Sequence, residues 1–544
     1  MIKREKQKTI LLLGLLLVFE LIIYLPQVGT GFVKDDFAWL SNIVINGKVD
    51  YLRPFTITTG FFRPLVSWTF GVQYELHGMN PGPYGWFNLF LHLVNILLVY
   101  LLLSSAAVSR AYALWAAALF GLNAKGPPMA VGWISGRTTL LVACFMLLSL
   151  YLYLETRQQH RKGGWSYKQI FLYFLVGVSY FAALLAKETA AAVPIFVFLA
   201  SFLVEKRKSK GASRVFFKNM QTAFLNTLVF LIPLTLYFFW RLNTNAIIPF
   251  NAPDFYRYTM APMVILKNLC EYITRAGMLD ILIIAWLLIV FLFTRAKTKP
   301  PEGIDGLAFT AGSGWFLCFL LPTLLIPARS DIYVYVPQVG LHLATLTIIF
   351  YLWKRTGANT KKRIKQTFIF LPIGILILAY IGYLAIIAAA NGKKGNHSFV
   401  FTQQVLQRTS NMKPGDHVFI IDMEPNHGFS PGRIVSYGIT PLLNLYYPHK
   451  RLTGKIIPPE SAAKITCDKN MLHFFFWGNG HLAGPFSCSG LKTVIYFLYP
   501  YSCLIPQMPG KPEKPGSKRR LYRLKKRKMR LKQQLIRQKQ NGQE

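Results

Sequence analysis

Acidic residues are scarce in this chain: 22 Asp and Glu stand against 61 Lys and Arg in 544 residues, a formal net charge of +39. A basic protein that binds nucleic acid spreads its cations through polar segments. Here long stretches carry almost no charge and short ones carry many, so a nucleic-acid partner is excluded and the cations punctuate apolar runs. Cysteine is sparse too. Cys144 and Cys318 lie inside apolar runs, Cys467, Cys488 and Cys503 fall in a late polar region, and no CxxC or Cys/His cluster occurs. That spacing excludes a structural zinc site and leaves a late disulfide open. No repeat of fixed period is present, which argues against a transporter or flippase built from inverted repeats.

What the chain has is apolar length. It is 53% hydrophobic and 15% aromatic, with a mean hydropathy of +0.34. Runs of roughly 17 to 25 apolar residues recur, the length that crosses a bilayer as a helix. The fold class expected is a polytopic α-helical membrane protein with about eleven transmembrane helices and a small C-terminal α/β extramembrane domain. The spans fall near 9–25, 86–103, 111–124, 138–154, 169–186, 189–204, 221–240, 277–294, 307–327, 333–352 and 367–390. The first run follows Lys3, Arg4, Lys6 and Lys8, and no small-x-small cleavage site comes after it, so it reads as an uncleaved anchor.

Basic residues orient the spans. With a cytoplasmic N-terminus, the clusters Arg157–Lys168, Lys206–Lys218, Arg295–Lys299 and Lys354–Lys365 all fall inside, as the positive-inside bias requires. The outer side then receives a long first loop, 26–85, the loop 123–137, the turn at Lys187 and Glu188, the segment 241–276 and the turn 327–332. Stretches 53–77 and 254–276 suit the membrane interface by their aromatics. Residues 1–390 form the membrane domain, 391–507 a small outer-face domain with strands at HVFIIDM and KTVIYFLY and a helix at SFVFTQQVLQRTSNM, and 508–544 a basic tail. Leu521, Leu524, Leu531 and Leu535 fit either an amphipathic helix on anionic lipid or a solvated tail. Asp422 and Glu424 follow a strand and read by default as turn residues, with acceptor recognition as the other reading.

The first outer loop holds the most chemistry. Asp35 and Asp36 stand side by side about ten residues beyond the first helix. Adjacent carboxylates there can act as a general base or attract a divalent cation, and can equally be a helix N-cap or a solvated pair. Asn88, His92 and Asn95 recur at helical spacing, a stripe that most often bonds one helix to another. Glu20 and His342 are ionisable groups inside spans.

The ordered set DDF, FRPL, GMNPGPYGWFNLFLHLVN, WISGR, LLAKE and DIYVYVPQVGL resembles the protein O-mannosyltransferase group of GT-C glycosyltransferases (glycosyltransferase family 39), and within it the bacterial relatives of the transmembrane O-mannosyltransferases that carry tetratricopeptide repeats, without those repeats. The resemblance covers residues 10–390 or so. It implies an outer-leaflet hexosyltransferase that passes a sugar from polyprenyl phosphate to an acceptor hydroxyl on a protein, lipid or glycan. The family's acidic base falls on Asp35 or Asp36, with Asp35 preferred. Arg137, Arg241, Arg275 and Arg329 are candidates to hold the donor phosphate, since guanidinium matches phosphate with paired donors, and each is also an interfacial anchor in the making. Arg63, Lys187, Glu188, Asp331 and Tyr333 complete the site.

Two departures stand out. Relatives carry a His-Pro-x-His-x-Glu type stretch where this chain reads NAKGPPMAVGW, and the usual acidic-Arg-Tyr pattern is Asp331-Ile332-Tyr333, with Arg329 two residues away. The missing His and Glu keep open a non-catalytic homologue that binds polyprenyl lipid or a partner protein. No cofactor is certain and a divalent cation is an open requirement. The location expected is a bacterial inner membrane.

Overall fold

Asn80 and Pro81 start the helix that carries the polar stripe. The Asn80 side chain accepts from the Gly82 N–H at 3.1 Å, and Pro81 fills the first helical position, where no donor is needed. The helix Pro81–Ser105 then runs 25 residues. A capping box of Ser166 and Gln169 starts Tyr167–Ala186 in the same way. The computed structural model describes residues 2–56, 61–106, 108–163, 166–209, 215–244, 256–294, 306–355, 363–423, 430–435, 438–462, 465, 472–478 and 480–486.

Among the described residues nine helices are long and apolar enough to cross a membrane: Gln7–Gln27, Pro81–Ser105, Ile134–Gln159, Tyr167–Ala186, Glu188–Lys208, Phe216–Leu242, Pro262–Leu292, Gly306–Leu324 and Phe370–Thr409. The two other expected spans are helices of shorter reach. Arg110–Gly121 has 12 residues and the apolar helix Gln338–Trp353 falls below the length of the nine. At about 1.5 Å per residue, 12 residues cover little more than half of a hydrocarbon core. The interfacial stretch expected at 254–276 is helical from Pro262 onward. From Pro262 it is the first part of the helix Pro262–Thr294, which bends at Gly277 (φ −124°, ψ 28°). Lys267, Glu271 and Arg275 precede that bend and the long apolar stretch follows it. The stretch 53–77 holds the helices Arg53–Thr56 and Pro64–His77.

The chain divides into two compact units, Met1–Phe399 and Val400–Glu544. In the first, Asn88, His92 and Asn95 are fully buried. Asn88 Nδ2 donates to the carbonyls of Trp133 and Ile134, both at 3.1 Å, and Asn95 Nδ2 to that of Leu140 at 3.1 Å, so the stripe bonds helix to helix. The loop after the first span is pressed against the last one. Gly31 has φ +139°, and a Cβ there would meet the Gly395 carbonyl at 2.5 Å. Ser398 Oγ donates to the Phe32 carbonyl beside it, and Asn391 Nδ2 to Gln27 Oε1 at 3.2 Å. These contacts set where the following residues, Lys34 to Asp36, emerge.

In the second unit a four-stranded sheet has the order Thr453–Ile457, His417–Asp422, Leu472–Gly478, His481–Phe486; the first three strands are parallel and the last antiparallel. Ile421, Ala462, Phe474 and Phe476 form its core. The expected strand HVFIIDM is present, and SFVFTQQVLQRT belongs to the long helix Arg363–Thr409 that also contains the last span. KTVIYFLY, Glu424 and the basic tail lie outside the described residues.

Candidate functional site

The two neighbouring carboxylates have different surroundings. Lys34 adopts a left-handed backbone (φ 54°), and the chain then enters the helix Asp36–Ile43 with Asp35 at the N-cap position. The Asp35 side chain makes no capping bond. Asp36, fully buried, holds the loop instead: Oδ2 accepts from Val33 N at 2.7 Å, and Oδ1 accepts from Ser135 N at 2.7 Å and from the Ser135 hydroxyl. Burial pushes the Asp36 carboxyl up to about 7, with the bonds from Ser135 and Val33 pulling the other way. Asp35 is half-buried, and burial raises its carboxyl too, opposed by the charges of Lys34 and Arg63. Among the described residues its carboxylate has no hydrogen-bond or ion-pair partner. A carboxylate with that surrounding is free to take a proton.

Around Asp35 the ends of several spans bring charges together. Arg63, just before the helix Pro64–His77, binds Glu188 through Nη2–Oε1 at 2.6 Å and Nε–Oε2 at 3.1 Å. Lys187 is buried, donates to Thr139 Oγ1 at 2.9 Å and lies 5.7 Å from the centre of the Tyr333 ring. Burial and the Arg63 charge lower its ammonium to about 8, against the pull of Glu188. Arg241 reaches Tyr237 Oη at 2.7 Å, and its charge also acts on Glu188. Next to this group Arg275 pairs with Asp331 at 2.6 Å and with Glu271 at 3.4 Å, Arg329 pairs with Glu271 at 2.7 Å, and Lys125 lies 3.9 Å from Asp331. Tyr333 joins the two groups, since the field of Arg63 reaches it and its ring meets Tyr272 at 6.4 Å.

Arg137 lies two residues beyond Ser135, the partner of Asp36, and its charge interacts with Asp36. It is fully buried, 4.3 Å from the centre of the Phe70 ring and 5.2 Å from that of Phe87, with bonds to the Tyr84 carbonyl (3.2 Å) and Asn88 Oδ1 (3.3 Å). Its donors are turned to protein partners within the first unit.

Several members of the cluster are absent from the motif reading. Glu271 sits four residues before Arg275, a helical ion-pair spacing that marks it. Ser135 lies inside WISGR, and Lys125 inside NAKGPPMAVGW, where this chain presents a lysine to Asp331. Asn123, from the same stretch, donates to the Ala276 carbonyl at 2.7 Å at the bend of the helix Pro262–Thr294. Among the described residues no three His, Cys, Asp or Glu side chains gather in a way that could hold a metal ion. Asp36 has both oxygens engaged by protein donors.

No family model matches the chain. Among solved structures it is similar to the oligosaccharyltransferase AglB of Archaeoglobus fulgidus in complex with an inhibitory peptide and a dolichol-phosphate (12% identity, TM-score 0.45, covering 83% of this chain and 65% of that one). It is also similar to ArnT of Cupriavidus metallidurans bound to undecaprenyl phosphate (13% identity, TM-score 0.46, covering 85% and 92%). In sequence it is 31% identical over 184 residues to the protein O-mannosyl-transferase Tmtc1 of Drosophila melanogaster, a match that takes in 31% of this chain and 20% of that protein. The chain thus matches about a fifth of the length of that relative, and over the matched stretch it is similar to a protein O-mannosyl-transferase, the group its ordered motifs resemble.

Proposed function

We propose that this chain is an integral-membrane glycosyltransferase of the O-mannosyltransferase kind, which transfers a hexose from a polyprenyl-phosphate donor to an acceptor hydroxyl on the non-cytoplasmic side of the membrane. The observation that carries the reading is the unequal environment of the carboxylates: Asp36 is bonded in place, whereas Asp35 is half-buried, unbonded and close enough to Arg63 to feel its charge. Asp35 is the general base. It takes the acceptor hydroxyl proton as the acceptor oxygen bonds to the anomeric carbon from the face opposite the leaving group. The bond from that carbon to the phosphate oxygen breaks, and polyprenyl phosphate leaves with the electron pair. Lys187, with Arg241, stabilises the charge gathering on the phosphate, and the pairs Arg63–Glu188 and Arg275–Asp331 keep the surrounding spans in place. The sequence match to an O-mannosyl-transferase supports the hexose class.

Transfer of labelled sugar from polyprenyl-phosphate donors in membranes containing wild type, Asp35→Asn or Asp36→Asn, at matched abundance, tests this. Transfer that Asp35→Asn abolishes at normal abundance supports the reading; equal transfer by all three proteins, or none from any donor, overturns it. A second reading, a non-catalytic binder of polyprenyl lipid, is favoured by one observation: Arg63, Arg275 and Arg329 already have carboxylate partners, so a donor phosphate meets a site whose arginines are largely neutralised. Retention of undecaprenyl phosphate without any transfer would select it.

A further inference from the structure

Inside the first unit an acid and an imidazole face each other out of reach of water. Glu20, in the first span, and His92, in the helix Pro81–Ser105, are fully buried, with Glu20 Oε2 3.8 Å from His92 Nε2. Among the described residues neither Glu20 oxygen nor His92 Nε2 has a hydrogen-bond partner. A carboxyl in hydrocarbon is costly and rare without a purpose. Space is left for it here, since a Cβ on Gly121 would meet Glu20 Oε1 at 2.5 Å.

On the far side of the imidazole the bonding sets the direction of each proton. Asn95 Nδ2 donates to the Leu140 carbonyl at 3.1 Å and to Tyr335 Oη at 3.1 Å, so the amide nitrogen faces the tyrosine and the hydroxyl accepts. The tyrosine proton is then directed to His92 Nδ1, 2.8 Å away. A neutral imidazole that accepts at Nδ1 carries its hydrogen on Nε2, which is the nitrogen turned to Glu20. Glu20, His92 and Tyr335 therefore form one directed chain, hydrogen-bonded between Tyr335 and His92 and held by a 3.8 Å polar contact, without a hydrogen bond, between His92 and Glu20. Tyr335 closes the short helical turn Asp331–Val334, with its N–H donating to the Ile332 carbonyl at 3.3 Å. That turn carries Asp331, the partner of Arg275, and Tyr333, the ring beside Lys187.

We propose that Glu20 and His92 are positioning residues: through Tyr335 they hold the Asp331–Tyr333 turn in the register that the donor site needs. The inference rests on the glycosyltransferase reading, because that reading assigns the donor phosphate to Lys187, and the turn places Tyr333 beside Lys187. The chain reaches the turn and not the Asp35 loop, so its loss changes donor affinity and leaves the proton-transfer step alone. Glu20→Leu removes a carboxyl from hydrocarbon and so leaves thermal stability unchanged or raised, yet it raises the donor KM about tenfold with kcat within about twofold. Tyr335→Phe does the same to KM. Glu20→Gln, whose side-chain carbonyl can keep the polar contact that Glu20 makes with Nε2–H, stays close to wild type.

The test measures thermal unfolding and donor kinetics of the purified full-length wild type, Glu20→Gln, Glu20→Leu, Tyr335→Phe and the Glu20→Leu/Tyr335→Phe double variant, with a polyprenyl-phosphate hexose as donor. Non-additive effects of Glu20→Leu and Tyr335→Phe on unfolding, together with donor KM raised in both and restored in Glu20→Gln, support the proposal. With wild type active, unchanged donor KM in Glu20→Leu, or a loss confined to kcat, overturns it. Additive unfolding effects overturn the directed chain whether or not transfer is found. Inactive wild type overturns the glycosyltransferase reading instead.

Discussion

Arg63 and Glu188 are 125 residues apart in sequence, and the arginine holds the carboxylate with two hydrogen bonds, at 2.6 and 3.1 Å. The pair ties the segment before the helix Pro64–His77 to the start of the span Glu188–Lys208, and its arginine acts on Asp35. Paired donors in a fixed plane suit a carboxylate better than a point charge does. Arg63→Ala is expected to destabilise the protein by about 2 kcal/mol, discounted for the partial exposure of Glu188. Arg63→Lys recovers only part of that. Thermal unfolding in detergent reads both, and an Arg63→Ala variant that unfolds like wild type would remove this pair from the account.

Asp36→Asn places an amide N–H₂ where Val33 N or Ser135 N already donates. Two donors facing each other leave both unsatisfied, so a loss of roughly 1–3 kcal/mol is expected. Asp35→Asn, which breaks no hydrogen bond, unfolds as wild type does. The same assay separates the two carboxylates without reference to any reaction.

Lys187 supplies a pH signature. Burial and Arg63 lower its ammonium to about 8, so it is charged at neutral pH and loses its proton as pH rises through that value. Affinity for an anionic donor, measured as the inverse of KM, is expected to be full below about pH 7 and to fall above about 8. Lys187→Arg keeps the charge and moves the fall to higher pH. A flat KM between pH 7 and 9.5 in wild type would detach Lys187 from the donor.

Arg137 is enclosed by Phe70, Tyr84 and Phe87. Arg137→Lys gives up stacking and planar bonding inside the first unit, and a loss of about 1–3 kcal/mol is expected in thermal unfolding. Donor KM stays at the wild-type value at temperatures where the variant is folded. A raised donor KM in a stable variant would return Arg137 to the donor site.

Much of the fold is legible from single segments. Runs of apolar residues, the Asn80-Pro81 start and the Ser166/Gln169 box belong to contiguous stretches, and each becomes the helix they announce. The polar stripe Asn88, His92, Asn95 is legible as glue, because polar side chains in hydrocarbon need partners. The site is less legible. Asp35 and Asp36 are the same residue type at adjacent positions, and what separates them is Ser135, 99 residues further on. Arg275 and Asp331 are 56 residues apart, and nothing local to either shows that they meet.

The sequence by itself determined that this chain is a multi-pass membrane protein, because transfer from water to hydrocarbon is a sum over neighbouring residues. Only the tertiary structure decided that Asp36 is bonded and, among the described residues, Asp35 is not, that Arg137 is enclosed, and that Glu20 faces His92 while His92 bonds Tyr335. Burial and hydrogen bonding of a polar group depend on atoms that distant spans bring to it, and those spans meet only when the helices pack.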